Sequence, residues 1–360
     1  MIKNAYIHIP FCKSKCNYCS FTSFVDFSNI DKYLLCLNQE IKYFYQKEKL
    51  NTLYIGGGTP SLLSVNQIND ILSLFSFENN AEITMELNPN DVDEKYLNNL
   101  LNLGINRLSF GVQTFDNNIL KIIGRRHNSN DAIEVVKLAK NMGFDNISID
   151  LIYGLPNQTM NNFKNDLKFA VNLPITHLSF YGLKIEEGCK FYQNIPDNLP
   201  DADTQADMYE FLCEFLTNND FEHYEISNFS KKGFNSKHNL NYWDNNTYYG
   251  FGIAAHGYDG NIRYSNKIDF KSYFENPIEH FEITELTKKQ KLEEEIFLGF
   301  RKGKGVNILL LNGKYGIDFE KKYSNILQKY TDYLIKTDSG YAFNTKGFLI
   351  SNNILSDFIE

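Results

Sequence analysis

Cysteine is scarce. Six are spread over 360 residues, which speaks against a disulfide-stapled scaffold and fits a reducing, cytoplasmic location. Long apolar runs are missing too. None approaches the roughly 20 residues that cross a bilayer, so an integral membrane protein is not expected. No charged segment, apolar core and small-residue cleavage site precedes the first strand, so no secretory signal is read. Positive charge is not in excess: 36 Lys and Arg stand against 44 Asp and Glu, a net charge of −8. Without a basic stripe, a nucleic-acid partner is not indicated. Internal repeats and low-complexity linkers are also lacking. What remains is an ordinary globular composition, enough for one large domain or a large one plus a small one.

Half of the cysteines sit together. In residues 5–24, AYIHIPFCKSKCNYCSFTSF, Cys12, Cys16 and Cys19 form a C-x3-C-x2-C set just after a short apolar strand. Three thiolates on one tight loop can hold three irons of a 4Fe–4S cube. The fourth iron is then open to a substrate or cofactor, unlike a four-cysteine electron-transfer site. A structural zinc site and three unrelated buried cysteines are the plainer alternatives. Zinc usually takes four protein ligands, with a second pair elsewhere. Cys36, Cys189 and Cys213 are scattered singly and make no such pair. Cys189 and Cys213 read as small buried hydrophobes.

Beyond the loop, apolar spacing predicts helices over 29–47, 64–75, 93–101, 117–123, 130–142, 160–171 and 204–218. Ser64 with Gln67 reads as a capping box. Strands are predicted at 52–55, 83–87, 105–112, 146–152, 177–181 and 222–226. This alternation argues an α/β fold, a partial (β/α)6 TIM-type barrel with a parallel sheet. Chemistry then belongs at the C-terminal strand ends. The cysteines, Gly56-Gly57-Gly58, Glu86, Gln113 and Asp150 all lie at or just past such ends. Any one of them alone could be an ordinary loop residue.

Residues 1–230 are thus expected to form the barrel and 231–285 a connecting region. Residues 286–360 are expected to form a small winged-helix-like α+β domain. Within the connecting region, 234–263 reads as an aromatic, glycine-bearing loop. In the C-terminal part, helices are predicted at 288–300, 306–311 and 317–330. Strands at 333–336 and 341–343 flank an Asp338-Ser339-Gly340 turn, and a last helix capped by Asn344 or Thr345 runs to 359. Such modules often bind DNA. Here the charges are mixed and no basic recognition helix is seen, so a lid or docking role is preferred.

The cysteine loop, with flanks YIHIPFC and NYCSF, resembles the cluster loop of radical S-adenosylmethionine (SAM) enzymes. It is most similar to the branch of oxygen-independent coproporphyrinogen III oxidases and their heme-chaperone relatives. The resemblance runs from Tyr6 to about Asn353, through the C-terminal string YAFNTKGFLISNN. It implies a 4Fe–4S cluster on Cys12, Cys16 and Cys19. It further implies SAM contacts from Tyr6, Tyr18, Gly57, Gly58, Thr59, Glu86, Gln113, Arg125 and Asp150. Glycines let a backbone approach the methionine end closely, although a glycine triplet alone is more often a tight turn. Glu86 can accept two ribose hydroxyls; its plainer reading is a surface carboxylate or a helix cap. Arg125 and Arg126 are adjacent and either could fill the arginine position.

Two features depart from the oxidases, which carry a further cysteine where this chain has Phe21 and an extra segment before the cluster strand. A third, HYEISNF at 223–229 followed by HNLNYW at 238–243, resembles the heme-chaperone branch. There His238 is implied as a heme ligand beside flat rings, although on residue types alone it reads as a packing residue. His256 reads first as a structural loop histidine. The resemblance therefore implies a chaperone that binds heme, covalently or through His238, and passes it to an acceptor such as a respiratory hemoprotein. The cluster and SAM would govern transfer or homodimerisation. The alternative is an oxidase that uses SAM to decarboxylate propionates. A DNA-binding regulator with a redox cluster would rest on the C-terminal module alone.

Overall fold

The first strand, β1 (Asn4–Ile9), is buried along nearly its whole length. Such a run suits a strand of a parallel sheet covered on both faces. Five more follow: β2 (Lys49–Gly57), β3 (Ser76–Leu87), β4 (Arg107–Gln113), β5 (Asn146–Tyr153) and β6 (His177–Gly182). Each pairs in parallel with the strand before it. Ile7, Ile55, Met85 and Leu108 lie side by side across four strands, all fully buried. Sequential parallel neighbours joined by crossover helices are the arrangement of a barrel wall. The computed structural model describes residues 1–359; Glu360, the last residue of the expected C-terminal domain, lies outside them.

The crossover helices follow the predicted spacing: Ile30–Phe44, Val65–Leu72, Glu94–Asn102, Asn117–Ile122, Ser129–Asn141 and Met160–Val171. The Ser64–Gln67 capping box forms with both of its hydrogen bonds.

Two expectations are corrected. The strand predicted at 222–226 does not extend the parallel alternation. It is β7 (Glu222–Glu225), which turns back on β8 (Asn228–Ser230), and β8 runs antiparallel to β6. The stretch 234–263 is not a loop. It holds the helix Lys237–Trp243, whose Ser236 cap accepts from the Asn239 N–H at 3.2 Å, and β9 (Tyr249–Phe251), which pairs in parallel with β1. Elements of seven and three residues are too short to show a period. Among the described residues nine strands thus form one open sheet, ordered β7-β8-β6-β5-β4-β3-β2-β1-β9.

The C-terminal part carries the helix Lys288–Gly299 and the hairpin Leu334–Thr337 with Gly340–Phe343, beside a short strand, Val306–Asn307. The helix predicted at 317–330 is broken into Phe319–Lys322 and Ser324–Lys329. The last is likewise split, into Thr345–Leu349 and Ser351–Ser356. The apolar core continues from β1 through Phe300 and Phe343 to Phe358. Among the described residues no helix is long and apolar enough to cross a membrane.

Candidate functional site

The cysteine loop leaves the end of β1 and is pinned at both ends. The Phe24 N–H donates to the Pro10 carbonyl (2.7 Å) and the Cys12 N–H to the Phe24 carbonyl (2.9 Å). Its middle is tied to the helix Asn117–Ile122: Asn17 donates through its backbone to Ile123 (3.0 Å) and through its side chain to Ile122 (2.8 Å). Held this way, Cys12, Cys16 and Cys19 line a cavity of about 520 Å³ at the C-terminal strand ends. Burial raises the Cys12 thiol and pushes Cys19 to about 11. Metal ligation would displace those protons.

The donor set fits an iron–sulfur cluster. Three thiols on one loop border the cavity together. Arg125 brings Nη1 to 3.5 Å from Cys16 Sγ, and Thr59 Oγ1 lies 3.5 Å from Cys12 Sγ. Of the two arginines it is Arg125 that reaches a cysteine, with its Nη2 donating to the Gly111 carbonyl. Arg126 instead pairs with Asp91 at 2.6 Å.

The glycines at the end of β2 are there for space and for dihedral. Gly57 has φ +112°, and a Cβ on it would sit 2.8 Å from the His8 ring. On Gly58 a Cβ would meet the Phe11 carbonyl at 2.6 Å and Cys12 Sγ at 3.0 Å. The Gly57 N–H donates to Glu86 Oε2 (3.1 Å), and the Tyr54 hydroxyl donates to Glu86 Oε1 (2.8 Å). Burial, helped by the nearby Asp150 charge, pulls the Glu86 carboxyl up to about 7. Asp150 is raised by burial while accepting from Ser109 Oγ at 3.1 Å. Gln113 ends β4 at φ +71°, a left-handed conformation that a side-chain-bearing residue seldom takes and that clusters at functional sites. Tyr18, Gly57, Gly58, Thr59, Glu86, Gln113, Arg125 and Asp150 therefore share one cavity with the three cysteines.

Two residues do not join them. Tyr6 lies beside Tyr54, its register partner across β1 and β2, with ring centroids 6.1 Å apart, and is hydrogen-bonded to His8 Nδ1 at 3.0 Å. His238 was expected to offer its imidazole to heme iron. Its ring is 1% exposed, Nδ1 shares a hydrogen bond with Thr52 Oγ1 (2.8 Å), and Nε2 shares one with the Tyr242 hydroxyl (2.8 Å). Both ring nitrogens are thus engaged by side chains of β2 and of its own helix. His238 also stacks on Tyr54, centroids 5.2 Å apart, and so backs the residue that holds Glu86. Tyr54, Tyr181 and Ser227 also border the cavity and were missed. The signal for Tyr54 was its place two residues before the glycines, on the same face of β2.

Residues 6–170 match the family model of the Radical SAM superfamily. The chain is 40% identical to heme chaperone HemW of Lactococcus lactis over 368 residues, covering 99% of this chain and 97% of that protein. It is 36% identical to heme chaperone HemW of Bacillus subtilis, covering 99% of each. The solved structure of coproporphyrinogen III oxidase (HemN) from Escherichia coli, a radical SAM enzyme, superposes with a TM-score of 0.87. The match covers 99% of this chain and 90% of that one at 24% identity, a likeness of fold.

Proposed function

Because the chain belongs to the heme-chaperone family of radical SAM proteins, we propose that it binds heme and passes it to an acceptor hemoprotein. The observation that carries this reading is the meeting of full-length kinship with one cavity that gathers three thiols, Glu86, Arg125 and Asp150. Cys12, Cys16 and Cys19 would hold three irons of a 4Fe–4S cluster, with the Arg125 cation offsetting thiolate charge. The backbone at Gly57, Gly58 and Thr59 would lie along the methionine end of SAM. Glu86 would accept the ribose hydroxyls, and Tyr18, Gln113 and Asp150 would complete the wall. Tyr6 would act through Tyr54, its neighbour across the strands. When bound, the reduced cluster supplies an electron to the SAM sulfonium.

Phe21 is 67% exposed where the oxidases carry a further cysteine, which favours the chaperone over oxidative decarboxylation. A cytoplasmic location, a respiratory acceptor and dimerisation governed by cluster and SAM belong to the same proposal. So does the division into 1–230, 231–285 and 286–360.

The test is an anaerobic heme titration of cluster-reconstituted protein beside a coproporphyrinogen assay with SAM and reductant. Saturable heme binding without decarboxylated product is expected. Product without specific heme binding would make the protein an oxidase. Each of Cys12→Ala, Cys16→Ala and Cys19→Ala is expected to abolish the brown chromophore, since no spare cysteine lines the cavity. Four irons per chain in any of these variants would remove the cluster assignment.

A further inference from the structure

We propose that a second cavity, beside the cluster site, binds a small zwitterion, an α-amino acid with an apolar or aromatic side chain, whose ammonium group is received by Glu225 and Asn228. The cavity measures about 490 Å³, within the range of small-molecule sites. It lies in the seam between the β7–β8 hairpin, the helix Lys237–Trp243 and the C-terminal part. The two strings that stand out in the sequence, HYEISNF and HNLNYW, both send residues to it. Glu225, Ser227 and Asn228 come from the first, and Asn239, Tyr242 and Trp243 from the second.

Buried polar atoms without partners point to a ligand here. Glu225 is fully buried; its Oε2 accepts from the Ser227 N–H (3.2 Å), and its Oε1 has no hydrogen-bond partner. Asn228 is its register partner across β7 and β8, is 3% exposed, and has an unpartnered Oδ1. A buried acceptor without a donor is costly, so a group that brings N–H hydrogens is held there. An ammonium has three donors and no acceptor, and it answers both atoms at once. Burial raises the Glu225 carboxyl to about 7, with Asn228, Ser227, Trp243 and Arg301 opposing the rise. An ammonium beside it adds to that opposition and fixes the carboxylate.

Positive charge stands at the mouth. Lys184 is exposed, borders both cavities, and among the described residues has no hydrogen bond or ion pair. Arg301 lies in the wall with Nη2 held by Asn352 (2.8 Å) and Nε unpartnered. A carboxylate is the group that a free lysine and an open guanidinium N–H take. A ligand with both charges therefore fits, whereas a lone cation or a lone anion leaves one set unanswered. Tyr181, Tyr242, Trp243 and Phe348 offer their rings to its side chain. The two cavities share the stretch 181–184 and Ser227, while Glu86, Asp150 and the cysteines belong to the first alone. The amino acid would thus sit beside the SAM site without competing for it.

The experiment titrates L-phenylalanine, L-leucine and L-methionine into the full chain with its cluster reconstituted and SAM saturating, so that the first cavity is filled. The readout is the emission of Trp243, the chain's one tryptophan and a wall of the second cavity. At least one of the three is expected to bind saturably. Its N-acetyl derivative, which lacks the ammonium, should bind wild type about tenfold or more weakly. Glu225→Gln, of nearly the same shape, should weaken the free amino acid about tenfold and erase its preference over the N-acetyl form. Lys184→Ala, at an exposed residue, should erase the preference for the acid over its carboxamide and keep the preference for the ammonium. No saturation by any of the three up to millimolar concentration would overturn the site and leave water as the partner of Glu225 and Asn228. Equal binding of the N-acetyl form by wild type, or unchanged affinity in Glu225→Gln, would overturn it as well. None of these outcomes bears on heme uptake, so either reading can fail without the other.

Discussion

Glu86 is a carboxyl whose proton is set by its surroundings. Burial and the Asp150 charge bring it to about 7, well above an exposed glutamate. The neutral form dominates below that pH. The carboxylate accepts at both oxygens, whereas protonation turns one of them into a donor and removes the charge, so SAM affinity should rise as pH increases through about 7. Glu86→Gln should flatten that dependence and cost about 2 kcal/mol, roughly thirtyfold in Kd. Isothermal titration of SAM at pH 6 and 8 with both proteins checks this, and equal slopes would remove Glu86 from the site. The same wall predicts that His238→Ala weakens SAM binding severalfold while the cluster absorbance is retained. Its ring is neutral, held down to about 3 by burial and by the Arg107 charge, and it stacks on Tyr54. That the cysteines and Glu86 would meet at one place was legible, because all lie at or just past strand ends. The contact of His238 was not, because its partner Thr52 lies 186 residues away in sequence.

At the scale of elements, the helix Ile30–Phe44 shows what periodicity reveals and what it hides. Its buried stripe, Tyr33, Leu37 and Ile41, has helical spacing and was readable. Glu40 lies in the same stripe and is fully buried. It accepts hydrogen bonds from the Tyr273 hydroxyl (2.5 Å), the Asn266 side chain (2.6 Å) and the Gly252 N–H (2.9 Å). The helix thereby holds the segment that carries β9 and His256. β9 itself was invisible, since three residues carry no pattern until β1 supplies a partner. Burial raises the Glu40 carboxyl to about 7 against 4.5 in the unfolded chain. A raised carboxyl binds its proton more tightly when folded. Its stabilising contribution is full below about 4.5 and is lost as pH rises through 7. Urea midpoints measured between pH 5 and 8 should therefore fall with rising pH, and less steeply in Glu40→Gln. Glu40→Ala, which removes all three acceptors from a buried site, should cost about 3 kcal/mol.

Across the whole molecule, the two motifs that set this chain apart also tie its ends together. The Gly303 N–H donates to the Tyr224 carbonyl (2.8 Å) and the Ile226 N–H to the Arg301 carbonyl (2.9 Å). His223 stacks on Phe229 with centroids 4.3 Å apart and touches Phe348 at 4.9 Å. Arg301 lies over Phe297 (4.2 Å) and reaches the ring of Trp243 (5.8 Å). A sequence reading can see HYEISNF and HNLNYW as strings. It cannot see that they form the seam against the C-terminal helices, because seam partners are fixed by tertiary packing and not by local spacing. Trp243 is the chain's one tryptophan, so its fluorescence reports on that seam alone. Since the apolar core runs unbroken from β1 to Phe358, Trp243 fluorescence and far-UV circular dichroism should lose their native signals at the same urea concentration. Arg301→Ala should expose the indole to water, shift its emission to the red before denaturant is added, and separate the two transitions. An Arg301→Ala protein with unshifted emission and coincident transitions would mean that the barrel and the C-terminal helices are held together elsewhere, through the packing of Phe300 and Phe343.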